Sequence, residues 1–577
     1  MNHTRKHPGL LFNIGLGLIS LVAILDLLIS ISFALRIPVA AFHFPVAVAL
    51  MLMLIWTQIK EQRFGKKVKV FASTTGLIAL IIFFSILIAG SFYDLSFDGQ
   101  TYHQEGVYQL VHFHWNPFYE VLPDQVNQAI WVNHYPKQAE SSAAAVYALT
   151  GRIETGKCFN LIILAASFFL IYSFLKRNAR INPSLALILS ILFAFNPIVI
   201  HQALTYMVDG QLASVLLSLL VCCLLLCRGL TSARLLLLAC LIVICINIKF
   251  TAAVYTALFV GFTLAIFLFR SKLREFSKLL LVASSSSLVA VLLVGFNPYL
   301  TNLIQNGNVF YPLFGQHPID IMTPNSPPGF PEMNRFTKLG LSLFAHTDNI
   351  DSRQHGRIPT LKVPFTLNRQ DIKSLSDPDN RIAGFGPLFS GVLVLTFFLL
   401  FLSVTYGRGI TIHDPLPWFM LMLILSLLVF QEAWWARYIP QLWFIPLIVI
   451  ILSARIHKPV VNTLRTLTAF VIALNTILSL YMVIQTNFLK TAEIDYQLTQ
   501  FKAIPQPVRV DFRGFDANRI RLAESGIRYL QQKRAEGPVI PLVYSKAVLL
   551  PHETLPVPPV PWLIILEERI KARIRFE

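Results

Sequence analysis

Charged side chains are scarce in this sequence. Only 14% of its 577 residues are Asp, Glu, Lys or Arg, against roughly 25% in an ordinary soluble domain. Hydrophobic residues make up 55% of the chain, and the mean hydropathy is +0.62. Because a soluble core cannot bury that much apolar surface, the composition excludes a soluble globular fold. We therefore predict an all-α polytopic membrane protein.

Motifs of several enzyme classes are also missing. We find no Walker loop, no GxSxG elbow and no sequence context of a catalytic cysteine. These absences disfavour an energy-coupled pump and a serine hydrolase. The six cysteines form no CxxC pair with histidine partners, so we predict packing residues and neither a zinc site nor a disulfide framework. They are Cys158, Cys222, Cys223, Cys227, Cys240 and Cys245.

Apolar stretches of membrane-spanning length recur along the chain. A helix needs roughly 17 to 25 apolar residues to cross a bilayer, and this criterion predicts about thirteen crossings. The first apolar run is too long for a signal-peptide core, so we predict that it is retained. The predicted spans are residues 9–34, 37–57, 71–91, 157–175, 183–200, 211–227, 235–248, 251–269, 278–296, 385–406, 415–430, 438–453 and 463–485.

Basic residues assign sides to these spans. The net charge is +18, but most of the Lys and Arg before residue 490 lies in short loops, so the excess reflects the positive-inside rule and not nucleic-acid binding. With Arg5 and Lys6 in the cytoplasm, the basic loops all fall on the cytoplasmic side. They are Lys60 to Lys69, Lys176 to Arg180, Arg228 to Arg234, Arg270 to Lys278, Arg408, and Arg455 to Lys458.

The same parity defines the exported segments. They comprise a first exported loop of residues 92–137, which is nearly free of Lys and Arg, and a large exported loop of residues 297–384. Residues 201–209, Lys249, residues 431–437 and the tail are exported as well. Residues 1–489 then form the membrane domain.

The tail, residues 490–577, is predicted to be a small α+β appendage in the periplasm. Short alternating runs at Val508 to Phe512, Val539 to Tyr544 and Trp562 to Leu566 indicate strands, and Asn518 to Gln532 has a helical pattern. Its placement outside follows from helix parity alone.

Ionisable groups at the exported ends of membrane helices are the positions most informative about function. Asp94 and Asp98 follow the third span and precede an amphipathic stretch that we expect to lie on the membrane. They are candidates for a catalytic carboxylate. The alternative is that they cap this helix, and both roles can coexist.

Three further exported positions carry charge. Asp209 precedes a glycine, which is also ordinary turn chemistry. Lys249 separates two apolar segments. The alternative to a functional role is that its side chain only extends to water. Arg437 lies among aromatic residues of the kind that line membrane interfaces, but its planar guanidinium also fits a phosphate group.

Other attractive patterns receive no catalytic role. Asp26, within the first span, is expected to stay protonated or to pair inside the bundle. Asp377-Pro378-Asp379 spells the DxD motif of nucleotide-sugar transferases, but no Rossmann-like unit precedes it and nucleotide sugars are absent from an exported loop. The histidines of the first exported loop lack HExxH spacing, which argues against a metal site. They are His103, His112, His114 and His134.

Several segments together resemble bacterial GT-C glycosyltransferases, the superfamily of the dolichyl-phosphate-mannose protein mannosyltransferases. The resemblance spans roughly residues 70 to 455, through short motifs. They are Phe97-Asp98-Gly99-Gln100-Thr101-Tyr102-His103, His134-Tyr135-Pro136-Lys137-Gln138-Ala139-Glu140, Phe296-Asn297-Pro298-Tyr299 with Asn302, Asn306-Gly307-Asn308-Val309-Phe310-Tyr311-Pro312 and Trp434-Trp435-Ala436-Arg437-Tyr438.

The resemblance implies an enzyme that takes a sugar from a polyprenyl-phosphate donor, with Asp98 as catalytic base and Asp94 as the fallback. The acidic pair of the mannosyltransferases and the WWDYG-like signature of oligosaccharyltransferases are both absent, so the substrate cannot be carried over. His103 is a third catalytic candidate. Lys249 and Arg437 are predicted to bind the donor phosphate, because preorganised cations stabilise a leaving phosphate. The predicted substrate cavity contains Tyr102, Glu140, Asp209, Asn308 and Trp435.

The sequence therefore predicts a GT-C-like glycosyltransferase of the bacterial cytoplasmic (inner) membrane, whose active site faces the periplasm. The expected partners are the polyprenyl-phosphate-sugar donor, a glycan, lipid or protein acceptor, and membrane lipids. Nothing in the sequence demands a cofactor; a divalent cation is possible, because carboxylates in such a cavity can hold one by oxygen ligands. The alternatives are a surface-polysaccharide polymerase or ligase, a lipid-glycan flippase or transporter, and a structural assembly partner. The first reading requires Asp98, Lys249 and Arg437 to meet in one cavity.

Overall fold

The computed structural model describes residues 9–61, 63–178, 181–349, 358–406, 414–533, 539–550 and 560–567. Over these residues the chain is mostly helical, with one small sheet near the C-terminus. The predicted basic positions Arg5, Lys6, Arg180 and Arg408 lie outside the described residues.

Eight helices of the described chain are long and apolar enough to cross a membrane. This confirms the prediction of a mostly helical, multi-pass membrane protein. The eight are Leu10–Ala34, Phe64–Gly90, Ile153–Arg177, Asp209–Leu226, Phe250–Phe269, Leu273–Val294, Phe389–Tyr406 and Pro459–Lys502.

Five further apolar helices have only 10–17 residues. Each of the predicted spans overlaps either one of these five or one of the eight long helices, so the predicted positions agree with the helices. Length alone supports a crossing only for the long ones, because a bilayer core requires about 20 residues. The short helices are His43–Gln58, Pro183–Ala194, Ser232–Ile248, Pro415–Ser426 and Pro440–Ser453.

The other helical segments belong mainly to the predicted exported parts of the chain. They are Gly99–His103, Gln104–His112, Ala129–His134, Gln138–Thr150, Pro197–Gln202, Phe296–Leu300, Thr301–Asn306, Thr323–Asn325, Arg335–Phe344, Arg369–Ser374, Ala436–Tyr438, Asn518–Glu524 and residues 562–567.

The first membrane helix, Leu10–Ala34, lies inside the bundle. It packs against its neighbours on several sides, including Cys158–Asn178 and Ser232–Ile248, and most of its side chains are buried. Asp26 is buried as well and accepts a hydrogen bond from the Ser142 hydroxyl at 2.9 Å. As expected, this carboxyl group therefore faces the protein interior and not lipid.

The amphipathic stretch of the first exported loop does not lie exposed on the membrane, contrary to the prediction. Its helix, Gln104–His112, packs against Gln138–Thr150. Leu110 and Trp115 are buried in the main core, and only Phe113 of the expected membrane-facing residues is well exposed. The apolar face of this helix is therefore covered by another part of the protein and not by lipid.

The C-terminal domain begins on a membrane helix. Pro459–Lys502 continues well beyond the predicted span and crosses the predicted boundary at residue 490. Its last turns place Ile494, Leu498 and Phe501 in a second, separate core together with the sheet residues. The boundary between the two parts is therefore a continuous helix and not a linker.

The sheet has four strands, β1 (Val508–Asp511), β2 (Tyr529–Gln531), β3 (Ile540–Pro541) and β4 (Val548–Leu549), in the order β2-β1-β4-β3. Strand β2 pairs parallel to β1, and β4 pairs antiparallel to both β1 and β3. The small α+β appendage is thus present.

Two details of the predicted appendage were wrong. The helix predicted to run to Gln532 ends at Glu524, because Gly526 adopts a left-handed conformation (φ 71°) that closes the helix. Trp562 to Leu566, predicted as a strand, is helical. A short run of apolar residues does not distinguish between these structures.

Ion pairs fasten this domain to the first exported loop. Arg519 contacts the buried Glu105 carboxylate at 2.6 Å. The neighbouring Arg521 lies 3.5 Å from Glu154 and also donates to the Asp94 carbonyl. The domain is therefore docked onto the segment that carries Asp98.

Removing Arg519 should loosen this docking, because it leaves the Glu105 carboxylate buried without its cation. We expect Arg519→Ala to cost roughly 3 kcal/mol of unfolding free energy, measured by urea unfolding in nanodiscs. The double variant Glu105→Gln/Arg519→Ala should lose less, since no buried charge remains. If the double variant loses as much as the single one, Glu105 does not depend on Arg519.

Candidate functional site

A large cavity lies where the first exported loop, the large exported loop and the C-terminal domain meet. Its volume is about 1020 Å³, which is at the upper end of the usual range for small-molecule sites. Charged side chains converge on it from distant parts of the chain. They are Asp98, Asp209, Lys249, Asp320, Asp377, Asp379, Arg381, Glu432, Arg437 and Lys546.

Asp98 enters the cavity from a wide helical turn, Gly99–His103, at the start of the first exported loop. Its side chain makes no capping hydrogen bond to this turn. Instead, Asp98 Oδ2 accepts a hydrogen bond from Arg437 Nη1 at 3.0 Å, although 339 positions separate the two residues. The carboxylate is therefore directed to the cavity and not used as a helix cap.

Asp94 does not line the cavity. It is fully buried, and its Oδ1 accepts hydrogen bonds from the Ser96 amide and hydroxyl, both at 2.7 Å. Its Oδ2 accepts a bond from the Tyr206 amide at 3.1 Å. A Cβ at Gly99 would lie 1.6 Å from this carboxylate, so only glycine fits there. Asp94 therefore fixes the turn that presents Asp98.

Arg437 is the centre of the charge cluster. Besides Asp98, its guanidinium lies 3.7 Å from Asp209 and 3.5 Å from Asp379. Burial disfavours the cation, but the three carboxylates outweigh this and hold the pKa of Arg437 above its ordinary value. The guanidinium also lies 4.6 Å from the centre of the Trp435 ring, in a cation–π contact. Arg437 therefore remains a fixed positive charge.

Lys249 contributes a second cation from the break between two helices. Ser232–Ile248 and Phe250–Phe269 are separated by this one residue, whose backbone is extended. Its Nζ lies 2.6 Å from Asp209 Oδ1, and Asp209 is otherwise buried at the start of a membrane helix. Asp209 thus connects the two cations, Lys249 and Arg437.

His103 and Glu140 form a buried pair at the edge of the cavity. His103 Nδ1 lies 2.6 Å from Glu140 Oε1, and only His103 lines the cavity. Burial by itself would raise the pKa of Glu140, but His103 and Lys137 outweigh it and lower that pKa. Because Glu140 holds Nδ1, the other ring nitrogen of His103 is left for the cavity. Glu140 is predicted to line the cavity, but it lies outside it and contacts the His103 side chain, which does line it.

If the predicted transferase reaction uses His103, Glu140→Gln should lower kcat through that histidine, because Glu140 itself does not line the cavity. We expect kcat to fall about 10- to 100-fold, as when the hydrogen-bond partner of a histidine is removed at a metal site, with little change in the affinity for the predicted polyprenyl-phosphate ligand. Turnover and probe binding are measured side by side. The exposed Glu332→Gln is the matched control, and equal activity of Glu140→Gln and this control would contradict the role.

The remaining predicted cavity residues divide into two groups. Tyr102 and Trp435 line the cavity together with Asp209. Burial and the nearby Asp98 carboxylate hold the pKa of Tyr102 well above its ordinary value, so its phenol keeps its proton. Asn308 does not line the cavity, because its side chain accepts a hydrogen bond from the Phe310 amide within its own turn.

Sequence reasoning missed Asp379 and Arg381. Asp379 accepts a hydrogen bond from Trp435 Nε1 at 3.1 Å and pairs with Arg381 at 2.9 Å. Asp377, Asp379 and Arg381 all line the cavity. The available signal is the Asp-Pro-Asp motif at residues 377–379, whose likeness to nucleotide-sugar enzymes does not predict an exported charge cluster.

The C-terminal domain was not expected at the site either. Phe515 and the turn between β3 and β4, with Tyr544, Ser545 and Lys546, line the cavity. The Gln100 side chain holds this turn through a hydrogen bond to the Tyr544 carbonyl at 3.1 Å. No local pattern in the sequence indicates this contact, because it joins residues 444 positions apart.

The histidines of the first exported loop do not come together. His112 bonds to Tyr147, His134 to Asn302 and His103 to Glu140. In the described part of the chain, no group of three or more His, Cys, Asp or Glu residues is arranged to hold a metal ion.

Neither protein-family models nor curated proteins gave a match to this chain. Its function must therefore be argued from the cavity itself.

Proposed function

We propose that this protein is a GT-C-type glycosyltransferase. It transfers a sugar from a polyprenyl-phosphate donor to an acceptor hydroxyl at the outer face of the bacterial cytoplasmic membrane. The main support is that Asp98, Lys249 and Arg437, which come from three separate parts of the chain, line one cavity.

The proposed reaction assigns one role to each charge. Asp98 accepts the proton of the acceptor hydroxyl as its oxygen attacks the anomeric carbon of the sugar. The bond between that carbon and the phosphate oxygen breaks, and polyprenyl phosphate leaves with the bonding electrons. Arg437 and Lys249 stabilise the charge on the departing phosphate.

The contact between Asp98 and Arg437 fits this sequence of events. Arg437 Nη2 makes no hydrogen bond to a described residue, so it is available to a phosphate oxygen. A phosphate that binds the guanidinium through both terminal nitrogens competes with Asp98 for Nη1. Donor binding then releases the Asp98 carboxylate from Arg437, so that it can contact the acceptor hydroxyl.

Apolar side chains next to the charges suit a lipid-linked donor. Leu313, Phe314, Ile319 and Ile321 of the large exported loop line the cavity, as does Phe430 at the end of a membrane helix. A prenyl chain is excluded from water by the same effect that buries these side chains. One cavity therefore offers both a polar and an apolar region.

We further propose that all thirteen apolar helices cross the membrane. The positive-inside rule then places the basic loops in the cytoplasm and the cavity at the periplasmic face. The five short helices cross with the help of flanking turns or local thinning of the bilayer. The C-terminal domain, which contributes to the cavity wall, lies on the same exported side.

A flippase or transporter would move its substrate without making or breaking a glycosidic bond. A polymerase or ligase of surface polysaccharide would also use a lipid-linked glycan, but it would transfer a chain of sugars. The paired charges around Asp98 favour single-sugar transfer by base catalysis over transport, because transport needs no base.

The test uses purified protein in nanodiscs, a radiolabelled polyprenyl-phosphate sugar and a glycolipid extract from bacterial envelopes as acceptor. We expect release of polyprenyl phosphate together with label in a new glycosidic product. Movement of intact donor across a vesicle membrane with no product would instead identify a transporter. Label attached as a longer chain would identify a polymerase or ligase.

A further inference from the structure

A second, much smaller cavity lies inside the membrane domain, away from the charge cluster. Its volume is about 10 Å³, the room needed by roughly one water molecule. Polar side chains from three segments surround it, although most of the neighbouring core is apolar. They are Asp26, Ser30, Lys137, Gln138, Ser141 and Asn297.

Three of these residues carry a buried oxygen without a hydrogen-bond partner. These atoms are Asp26 Oδ2, Gln138 Oε1 and Asn297 Oδ1. All three residues are at least nine-tenths buried. Unpaired acceptors are costly in an apolar interior, and internal water is the usual way in which proteins satisfy them.

Lys137 brings the matching donors to the same cavity. Its side chain is buried, and its ammonium donates one hydrogen bond to the Tyr135 carbonyl, which leaves two N–H groups. Burial lowers the pKa of Lys137 to about 8, with Glu140 partly offsetting it. The side chain therefore carries its proton at neutral pH. Among the described residues, no ion pair within 4.0 Å joins the Lys137 ammonium to the Asp26 carboxyl group.

We propose that this cavity holds one internal water that bridges the Asp26 carboxyl group and the Lys137 ammonium. The water accepts a hydrogen bond from Lys137 and donates one to Asp26 Oδ2 and one to either amide oxygen, which makes the usual three bonds of a buried water. A sodium ion fits less well, because the Lys137 ammonium already brings a positive charge to this cavity and a second buried cation beside it would be repelled.

This bridge provides a structural role for Asp26 within a membrane helix, where burying an ionisable side chain costs free energy. It joins the first membrane helix to the segment that ends the first exported loop. Tyr135 and Pro136, directly before Lys137, line the substrate cavity. Asp26 thus stabilises that wall, and this assignment does not depend on the reaction proposed for the cavity.

A double-mutant cycle tests the pair. We expect Asp26→Asn and Lys137→Gln each to lower the midpoint of thermal unfolding in nanodiscs by several degrees, because each weakens one end of the water bridge. The double variant should lose less than the sum of the two single losses, since the second substitution removes a partner that the first has already uncoupled. If neither single variant accumulates, a folded double variant gives the same result. Additive losses in the double variant would overturn the bridge.

The water itself is tested by filling the cavity while both charges are kept. Ser141→Val adds volume at the cavity wall, and Ala148→Val is the control for a β-branched residue in the same helix. If water is present, its displacement should lower the midpoint more than the control substitution does. If the cavity is empty, the added methyl groups should raise the midpoint relative to the control, and that result would overturn the proposal.

Discussion

Asp98→Asn is expected to lower kcat about 10²- to 10⁴-fold, the contribution typical of a general base. The amide has nearly the same size as the carboxylate but cannot accept the proton of the acceptor hydroxyl. Binding of polyprenyl phosphate should persist or tighten, because the amide competes less strongly than the carboxylate for Arg437 Nη1. The measurement combines product formation with titration of polyprenyl phosphate.

Asp124→Asn is the matched control for this substitution. Asp124 lies in the same exported loop, but it is exposed and does not line the cavity. The control should retain wild-type turnover. If Asp98→Asn also turned over donor at the wild-type rate, another group would have to accept the proton, and His103 would be the next candidate.

Arg437→Lys is expected to lower kcat/KM about 10²- to 10³-fold, similar to the loss of one preorganised donor that stabilises a transition state. A lysine keeps the charge, but it cannot present a planar fork to a phosphate while it contacts three carboxylates. The loss should appear with the polyprenyl-phosphate sugar as the varied substrate. Turnover measured against donor concentration separates effects on kcat from those on KM.

Arg509→Lys provides the comparison, because Arg509 is exposed on β1 of the C-terminal domain, away from the cavity. Arg437 is part of a buried ion network, so the thermal midpoint of each variant must be recorded as well. A folded Arg437→Lys variant with unchanged use of donor would remove this arginine from the phosphate site.

Asp94 and Asp98 show why the sequence could not separate two neighbouring carboxylates. Both precede the same helix, and both were candidates for a base and for a cap. The Asp94 carboxylate accepts hydrogen bonds from the Ser96 and Tyr206 amides, whereas the Asp98 carboxylate forms an ion pair with Arg437 in the cavity. Ser96 is a local partner, but Tyr206 and Arg437 each lie more than a hundred positions from the carboxylate that they contact.

The Asp-Pro-Asp motif shows the opposite failure. It was recognised from three adjacent residues and set aside because its usual nucleotide-binding surroundings are missing. Asp379 nevertheless contacts Arg437, Arg381 and Trp435. A motif compared with one enzyme class says little about the same residues in another protein.

The sequence by itself determined that this is a membrane protein with many helices, because hydropathy and span length are properties of contiguous residues. It also indicated which polar groups lie at helix ends, since charge is rare in such a chain. Only the tertiary structure decided that Asp379, Arg381 and the C-terminal turn join Asp98, Lys249 and Arg437, and that Asp94, Glu140 and Asn308 remain outside. Packing between distant segments sets those contacts, and no local pattern encodes them.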